Sequence, residues 1–265
     1  MKPAALLEVR DICLVLGERP VLQDVSFQVI AGETRVILGA SGSGKTTILK
    51  LILGLIKPDR GTIFVDGYDI TPLGERELQT WRQRMAMVFQ GAALFDSLSV
   101  GENVGYRLWD RRTMDDSAIE KIILESLRFV GLDDMAAKMP GELSGGMRKR
   151  VGIARAVATG AEIILYDEPT AGLDPLNTCV INRLILTLKT RGATQVIVTH
   201  DLDTAYRVAD RIVMIAHGRV LFEGTGQELK SSGDPDVRAF IDAPAMCDQE
   251  AIIAATKNGD MPVDA

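Results

Sequence analysis

The sequence has few cysteines, no long apolar run and no signal-like start. Its three cysteines, Cys13, Cys179 and Cys247, lie far apart without CxxC spacing, which is typical of reduced cytosolic thiols and not of a disulfide framework or a metal site. No apolar run approaches the roughly 20 residues that a membrane-spanning helix needs. The apolar run before Glu8 is too short for a secretory signal. We therefore expect a soluble protein that would need another chain to cross a membrane.

An excess of basic residues is also missing. The net charge of −6 and the pI near 5.1 argue against a nucleic-acid-binding protein, which normally carries a basic patch. The short basic run at 148–150 is expected to be a solvated helix face. The 265 residues are enough for one large domain or for a domain with a subdomain.

The pattern of apolar residues predicts an α/β fold with one helical insertion. Up to residue 95, alternating and β-branched runs predict mainly strands, including an N-terminal antiparallel part. Helical spacing follows over about 97–159, as an inserted helical subdomain, and α/β alternation then resumes. A last helix is expected near 234–242. We expect one domain over 5–242 and a mobile tail over 243–265.

A glycine-rich loop follows the short strand TRVILG and precedes a helix that is expected to reach the residues before Pro58. The loop matches G-x-x-x-x-G-K-[ST], and its strand–loop–helix context predicts a P-loop, which binds nucleotide phosphates through backbone N–H groups. Lys45 would reach the β- and γ-phosphates, and Thr46 would ligate Mg²⁺. The residues predicted to bind ATP here are Gly39, Ala40, Ser41, Gly42, Ser43, Gly44, Lys45, Thr46 and Thr47.

Polar side chains follow three further apolar strands. Asp167 and Glu168 end the run IILYDE, and we interpret them as a Mg²⁺ ligand and as the base that orients the attacking water. His200 ends the run VIVTH and is expected to contact the γ-phosphate. Gln90 ends the run MAMVFQ and is a candidate for both catalysis and Mg²⁺ binding. Because ligands bind at the carboxyl edge of a parallel sheet, these four residues should converge.

Five elements in one order carry a family resemblance: the P-loop, Gln90, LSGGM at 143–147, ILYDEP with AGLD, and His200. Over about residues 5–240 the chain resembles the nucleotide-binding domain of ABC proteins, a P-loop NTPase fold. The resemblance implies a head-to-tail dimer in which Ser144, Gly145 and Gly146 of one copy cap the ATP held by Lys45 of the other. Asp174 would lie at that dimer seam.

Details of the sequence resemble one branch of this family. Met147 in LSGGM, the segment GAALFDSLSVGENV after Gln90, and DPDVRAFID near the end look like the ATPase of Mla/Mce-type phospholipid transporters. The resemblance implies a peripheral protein on the cytoplasmic face of the inner membrane. Its partners would be a transmembrane permease, an MCE lipid-binding subunit and a STAS-domain protein.

The resemblance leaves alternatives open. An ATPase for an importer of a polar solute, such as an amino acid, is the nearest rival. A DNA-repair ATPase is disfavoured because no sustained heptads lie between Gln90 and Leu143. One residue departs from the family pattern: Leu16 stands where an aromatic residue usually stacks on adenine.

The segment after Gln90 is also the expected docking region for the permease. It offers Leu94, Phe95, Leu98, Val100 and Tyr106. These apolar residues could instead fill the core of the helical insertion. Phe95, beside a polar Asp96-Ser97 turn, is the residue that we expect to face a groove for a short permease helix.

Overall fold

The structure, a computed structural model, describes residues 5–243 and contains a six-stranded and a four-stranded β-sheet. Within this range, no helix combines the length and the apolar character needed to cross a membrane. The strands are β1 (Ala5–Leu16), β2 (Arg19–Ile30), β3 (Thr34–Leu38), β4 (Arg60–Val65), β5 (Tyr68–Asp69), β6 (Met85–Val88), β7 (Ile163–Asp167), β8 (Thr194–Thr199), β9 (Arg211–Ala216) and β10 (Arg219–Gly224). The helices are α1 (Lys45–Ile52), α2 (Glu75–Arg82), α3 (Val100–Arg111), α4 (Asp116–Phe129), α5 (Gly145–Ala158), α6 (Pro175–Thr190), α7 (Leu202–Val208) and α8 (Gly226–Lys230), with a 3-10 turn at Pro140–Glu142.

The six-stranded sheet is mostly parallel, as the sequence predicts. Its order is β10-β9-β3-β8-β7-β6, and only the β9–β10 pair is antiparallel. Every residue of β3, β7 and β8 is buried. A sheet covered on both faces buries all of its residues, which explains why these strands read as continuous apolar runs. Their carboxyl ends lie at one edge.

Two hydrophobic cores lie on opposite faces of this sheet. Successive strand residues point to opposite faces, so Ile163 and Leu165 of β7 pack with α1 and the four-stranded sheet, whereas Ile164 and Tyr166 pack with α5 and α6. The four-stranded sheet is antiparallel with the order β2-β1-β4-β5. It covers the face of the central sheet that carries the glycine-rich loop.

The helix after the glycine-rich loop is shorter than the sequence predicts. It ends at Ile52 and not next to Pro58. Gly54 adopts φ +64° and donates its N–H to Leu51 O, while Leu55 donates to Lys50 O. These two bonds form a Schellman motif, which satisfies the last carbonyls and ends the helix. Of the apolar residues after Gly54, Ile56 packs against the core beyond the turn, whereas Leu55 is 55% exposed.

The helical segment expected over about 97–159 contains α3, α4 and α5. Ser99 caps α3, since its hydroxyl accepts from the N–H of Glu102, whose carboxylate accepts from the N–H of Ser99. Helix α5 packs on α3 and α4 and also on the central sheet, where Ile153 and Ala154 belong to the same core as β6–β8. Helix α5 therefore connects the helical segment to the sheet.

The end of the chain is described only in part. Residues 235–243 are helical, in agreement with the helix predicted near 234–242. The tail expected over 243–265 lies outside the described residues from position 244 onward.

Candidate nucleotide site

The loop between β3 and α1 has a backbone that leaves space for an anion. A Cβ added at Gly39 would lie 2.3 Å from Ile215 O, so only glycine fits there. Gly44 precedes α1 with φ 98°, a left-handed conformation that glycine adopts without steric cost. The first N–H groups of α1 have no partner within the helix and are therefore suited to phosphate oxygens. Local geometry thus agrees with the predicted phosphate loop.

Lys45 lies against this loop with its side chain almost fully buried. Its Nζ donates to Gly39 O at 2.8 Å and to Ala40 O at 2.9 Å. The same ammonium lies 3.7 Å from Glu168 Oε1. Burial lowers the pKa of Lys45, although Glu168 and Asp167 oppose that shift. The ammonium therefore sits in a poorly solvated place where anionic phosphate would favour its charged form.

Thr46 and Asp167 meet directly, although 120 positions lie between them. The Thr46 hydroxyl donates to Asp167 Oδ1 at 2.9 Å. Burial raises the pKa of the Asp167 carboxyl, which means that its charged form lacks sufficient stabilisation. A nearby divalent cation would favour the carboxylate, and hydroxyl and carboxylate oxygens are the ligands that Mg²⁺ prefers. The pair therefore fits the predicted Mg²⁺ site.

Glu168 is held in place by the neighbouring strand β8. Its backbone has φ +47°, an uncommon left-handed conformation for a residue with a side chain. Thr199 donates its hydroxyl to Glu168 Oε2 at 3.1 Å, and His200 Nδ1 lies 2.9 Å from Glu168 Oε1. The carboxylate is thus oriented by two residues at the end of β8. The sequence predicted His200 but not Thr199, whose role depends on strand order.

The predicted residues converge on one cleft of about 420 Å³. Gln90, Glu168 and His200 line it together with the phosphate loop. The lining residues from the loop and from α1 are Ser41, Gly42, Gly44, Lys45, Thr46 and Thr47. Gly39, Ala40 and Asp167 are not part of the lining but contact Lys45 or Thr46, which are. Ser43 does not line the cleft either, but lies in the chain between the lining residues Gly42 and Gly44. The volume is in the usual range for a small-molecule site.

One wall of the cleft is aliphatic. Leu16, with 51% of its surface exposed, and Val21 line it. No Phe, Tyr or Trp of residues 5–243 lines this cleft. An adenine placed against this wall would contact aliphatic groups on its face and would not stack on an aromatic ring.

The LSGG residues do not line the cleft of their own chain. Ser144 precedes α5 as its N-cap and is exposed, as is Gly145. A Cβ added at Gly146 would lie 2.5 Å from Asn177 Oδ1. Asn177 in turn donates to the carboxylate of Asp174. The exposed Ser144, Gly145 and Asp174 are therefore neighbours, linked through the buried Gly146 and through Asn177, and do not line the cleft of the phosphate loop.

The basic run at 148–150 is not the solvated helix face that the sequence predicts. Lys149 is 7% exposed, and its Nζ donates to Glu168 O at 3.1 Å and to Ala171 O at 2.6 Å. Arg148 and Arg150 are half-buried and donate to backbone carbonyls as well. Only residues three and four apart share a helix face, so consecutive residues of α5 point in different directions. Because α5 is packed on several sides, its three consecutive basic residues reach different buried carbonyls.

Another residue of α5 holds the loop after Gln90. Ala92 and Ala93 have φ +63° and +46°. Arg155 donates to both of their carbonyl oxygens, at 2.7 and 2.8 Å. Consecutive left-handed alanines are strained, so these bonds stabilise an otherwise unfavourable loop. Sequence reasoning did not identify Arg155, because its partners are backbone atoms.

Comparison with known proteins identifies the family. Residues 22–171 match the sequence profile described as "ABC transporter". The chain is 40% identical over 237 residues to "Intermembrane phospholipid transport system ATP-binding protein MlaF" of Haemophilus influenzae, covering 89% of this chain and 90% of that protein. It is 38% identical over 242 residues to "Probable ribonucleotide transport ATP-binding protein mkl" of Mycobacterium leprae, covering 91% of this chain and 70% of that protein.

A solved structure supports the fold. The structure described as a dimeric post-hydrolysis state of the ATP-binding cassette MJ0796 bound to ADP and Pi superposes with a TM-score of 0.77. It is 34% identical and covers 83% of this chain and 98% of that one. The predicted α/β nucleotide-binding fold, with its antiparallel sheet and helical elements, is thus confirmed.

We predict that Glu168→Gln binds ATP but loses turnover. The carboxamide keeps the shape of the side chain but cannot accept a proton, and a positioned general base typically contributes about 10²–10⁴-fold. Steady-state phosphate release should fall by that factor, while the affinity for ATP stays within about threefold of wild type. Wild-type turnover in this variant would exclude Glu168 as the base.

We also predict that the complete site is shared between two copies. Mixing Lys45→Ala chains with Ser144→Arg chains yields heterodimers with one intact and one doubly altered site. ATP hydrolysis by the mixture should exceed that of either variant alone. Mixing Lys45→Ala with Glu168→Gln is the control, since every site then carries a defect. Loss of ATP binding by monomeric Ser144→Arg would contradict a shared site.

Proposed function

The chain belongs to the ABC transporter family, and from that premise we propose that it is the ATPase subunit of a complex that moves phospholipid between the inner and outer membranes. The observation that carries the proposal is the similarity to MlaF, which extends along 90% of that protein at 40% identity. The ATPase activity itself is a property of the family, and we assign it to the cleft that Lys45 and Glu168 line.

The residues of the cleft have distinct roles in the proposed reaction. Lys45 binds the β- and γ-phosphates together with the N–H groups of the loop, and Glu168 orients a water molecule and accepts its proton. His200, 2.9 Å from Glu168, contacts the γ-phosphate and fixes the carboxylate. Thr46, Asp167 and Gln90 would hold Mg²⁺, which when bound neutralises charge on the phosphates.

The proposed working unit is a head-to-tail dimer. Ser144 and Gly145 are exposed, whereas Gly146 is buried, and none of the three lines the cleft of its own chain. The exposed Ser144 and Gly145 at the start of α5 are therefore available to a second copy. The N-terminus of α5 supplies backbone N–H groups and a positive dipole end for the γ-phosphate held there. Asp174 lies on the same surface. Two ATP molecules would then join the two copies.

The proposed partners follow from the same premise. A transmembrane permease would carry the lipid path, and this chain would bind it on the cytoplasmic face of the inner membrane. An MCE lipid-binding subunit and a STAS-domain protein would complete the assembly.

A second candidate function is transport of a polar solute. The similarity to mkl, whose name refers to ribonucleotide transport, favours it. Both functions use the same ATPase chemistry, so the cleft does not discriminate between them. The substrate would be selected by the permease and its extracytoplasmic subunits.

Isolation of the native complex tests the choice. We expect mass spectrometry of the purified complex to detect a permease, an MCE subunit and bound phospholipid. After reconstitution into vesicles, ATP should drive transfer of a fluorescent phospholipid. A complex that lacks lipid-binding subunits and instead transports a radiolabelled ribonucleotide would overturn the phospholipid proposal.

The exposed aromatic pair Phe95 and Tyr106 marks the proposed permease contact. Their rings lie 4.8 Å apart, with 45% and 49% of their surfaces exposed. Val100, which the sequence offered for the same groove, is instead fully buried in the core, and Leu94 is partly buried against it. Val100 is therefore not available to a permease helix, and the groove remains a proposal that rests on the exposed Phe95 and Tyr106.

We predict that Phe95→Ala folds and binds ATP but assembles poorly with the permease. The loop at Phe95 is held by Asn103, which bonds both the N–H and the carbonyl of residue 95, independently of the ring. An aromatic anchor is typically worth about 2 kcal/mol, so the fraction of permease that co-purifies should fall about 30-fold at limiting concentration. Tyr68→Ala is the matched control, because Tyr68 is an aromatic residue that is 65% exposed in β5, away from Phe95 in the sequence. Equal assembly by both variants would refute this contact.

A further inference from the structure

Lys149 is a buried cation whose hydrogen-bond partners among residues 5–243 are backbone oxygens. It lies in α5, just over one helical turn after Ser144, and is 7% exposed. Its Nζ donates to Glu168 O at 3.1 Å and to Ala171 O at 2.6 Å. Burial lowers the pKa of Lys149. Burying an ammonium here costs free energy of folding, and an apolar side chain could fill the same space without that cost. The lysine therefore calls for a reason other than packing.

Both carbonyl oxygens belong to the turn that follows β7. Glu168 begins this turn in the left-handed conformation, and Ala171 closes it by donating its N–H to Glu168 O at 3.2 Å. A residue with a side chain is strained in the left-handed conformation, which persists only where surrounding contacts hold it. Lys149 binds the first and the last carbonyl of the turn and so supplies such contacts from outside the sheet.

The conformation of this turn decides where the Glu168 carboxylate points. In the observed conformation it lies 3.7 Å from Lys45 Nζ and 2.9 Å from His200 Nδ1. If Glu168 relaxed toward a right-handed or extended conformation, its side chain would leave the cleft although β7 stayed in place. A displacement of about 1 Å from the reacting geometry can cost about 10²-fold in rate.

We propose that Lys149 is a positioning residue for ATP hydrolysis: it holds the turn 168–171 so that the Glu168 carboxylate faces the cleft, and it links that turn to the start of α5. The inference rests on the proposed role of Glu168 as the base. It has a consequence for the dimer. When Ser144–Gly146 bind the phosphate of a second copy, a shift of α5 is transmitted by Lys149 to the catalytic carboxylate of its own chain.

Lys149→Met tests the proposal in the full-length dimer. Methionine fills similar space but donates no hydrogen bond. We expect kcat for ATP hydrolysis to fall about 10- to 100-fold, while KM and the dissociation constant for ATP stay within about threefold. Lys149→Arg, which can still donate to both carbonyls, should recover part of kcat. An unchanged kcat in Lys149→Met would overturn the proposal, as would a rise in KM without a fall in kcat.

Arg150→Met is the matched control. Arg150 is the next residue of α5 and donates to the carbonyls of Val130 and Gly131, both 3.1 Å away, in the helical segment. Its loss removes a comparable cation from the same helix without touching the turn at Glu168. We expect kcat to stay within about twofold of wild type. An equal fall of kcat in Arg150→Met and Lys149→Met would mean that the helix is merely destabilised.

A double variant tests whether Lys149 acts through Glu168. In single-turnover measurements with radiolabelled ATP, Lys149→Met should change the residual rate of Glu168→Gln by less than about twofold, because the group it positions is gone. A full further loss in that background would overturn the proposal. If Glu168→Gln alone kept wild-type turnover, Glu168 would not be the base and the proposed function of the site would fail. That outcome is distinct from an unchanged kcat in Lys149→Met, which would refute the role of Lys149 alone. Should Lys149→Met fail to fold, Lys149→Leu, which also donates no hydrogen bond, provides the same comparison.

Discussion

The left-handed backbone at Glu168 is the constraint on which the arrangement of the cleft depends. It turns the chain out of β7, directs the carboxylate toward Lys45 and His200, and leaves the preceding Asp167 facing Thr46. A residue in that conformation needs contacts that hold it. The strand β8 holds the side chain, through the Thr199 hydroxyl, and also the backbone, because Glu168 donates its N–H to Val198 O.

Helix α5 connects this constraint to the rest of the molecule. Its N-terminus presents Ser144 and Gly145 on the surface, its buried Lys149 contacts the turn after β7, and its Arg155 holds the loop after Gln90. Because packed elements shift as units and not by continuous deformation, one helix that touches both loops can move them together. Phe95 lies just beyond the loop after Gln90, and its ring packs against Tyr106 of α3. Movement of a partner bound there could therefore reach the cleft through this loop.

Two ionisable groups at the cleft, Lys45 and Asp167, are poorly stabilised in their charged forms. Burial lowers the pKa of Lys45 and raises the pKa of Asp167, so the charged form of each is disfavoured by the surroundings. Phosphate oxygens beside Lys45 and a divalent cation beside Asp167 would each reverse that penalty. Lys45 and Asp167 are therefore the groups whose charged forms we expect a bound nucleotide and cation to stabilise.

By itself, the sequence determined the phosphate loop, the polar residues at the strand ends and the α/β alternation. Each of these depends on the spacing of residues that are close together in the chain. It also located LSGG, since helix starts have local signatures, whereas the role expected for Asp174 came only from the family resemblance. Only the tertiary structure decided the role of the basic run, the contribution of Thr199, and which apolar residues after Gln90 are buried. Lys149 and Arg155 bind backbone carbonyls, which every residue carries, so no residue pattern reveals their partners. The end of α1 depended likewise on the left-handed backbone of Gly54, a conformation that spacing does not encode.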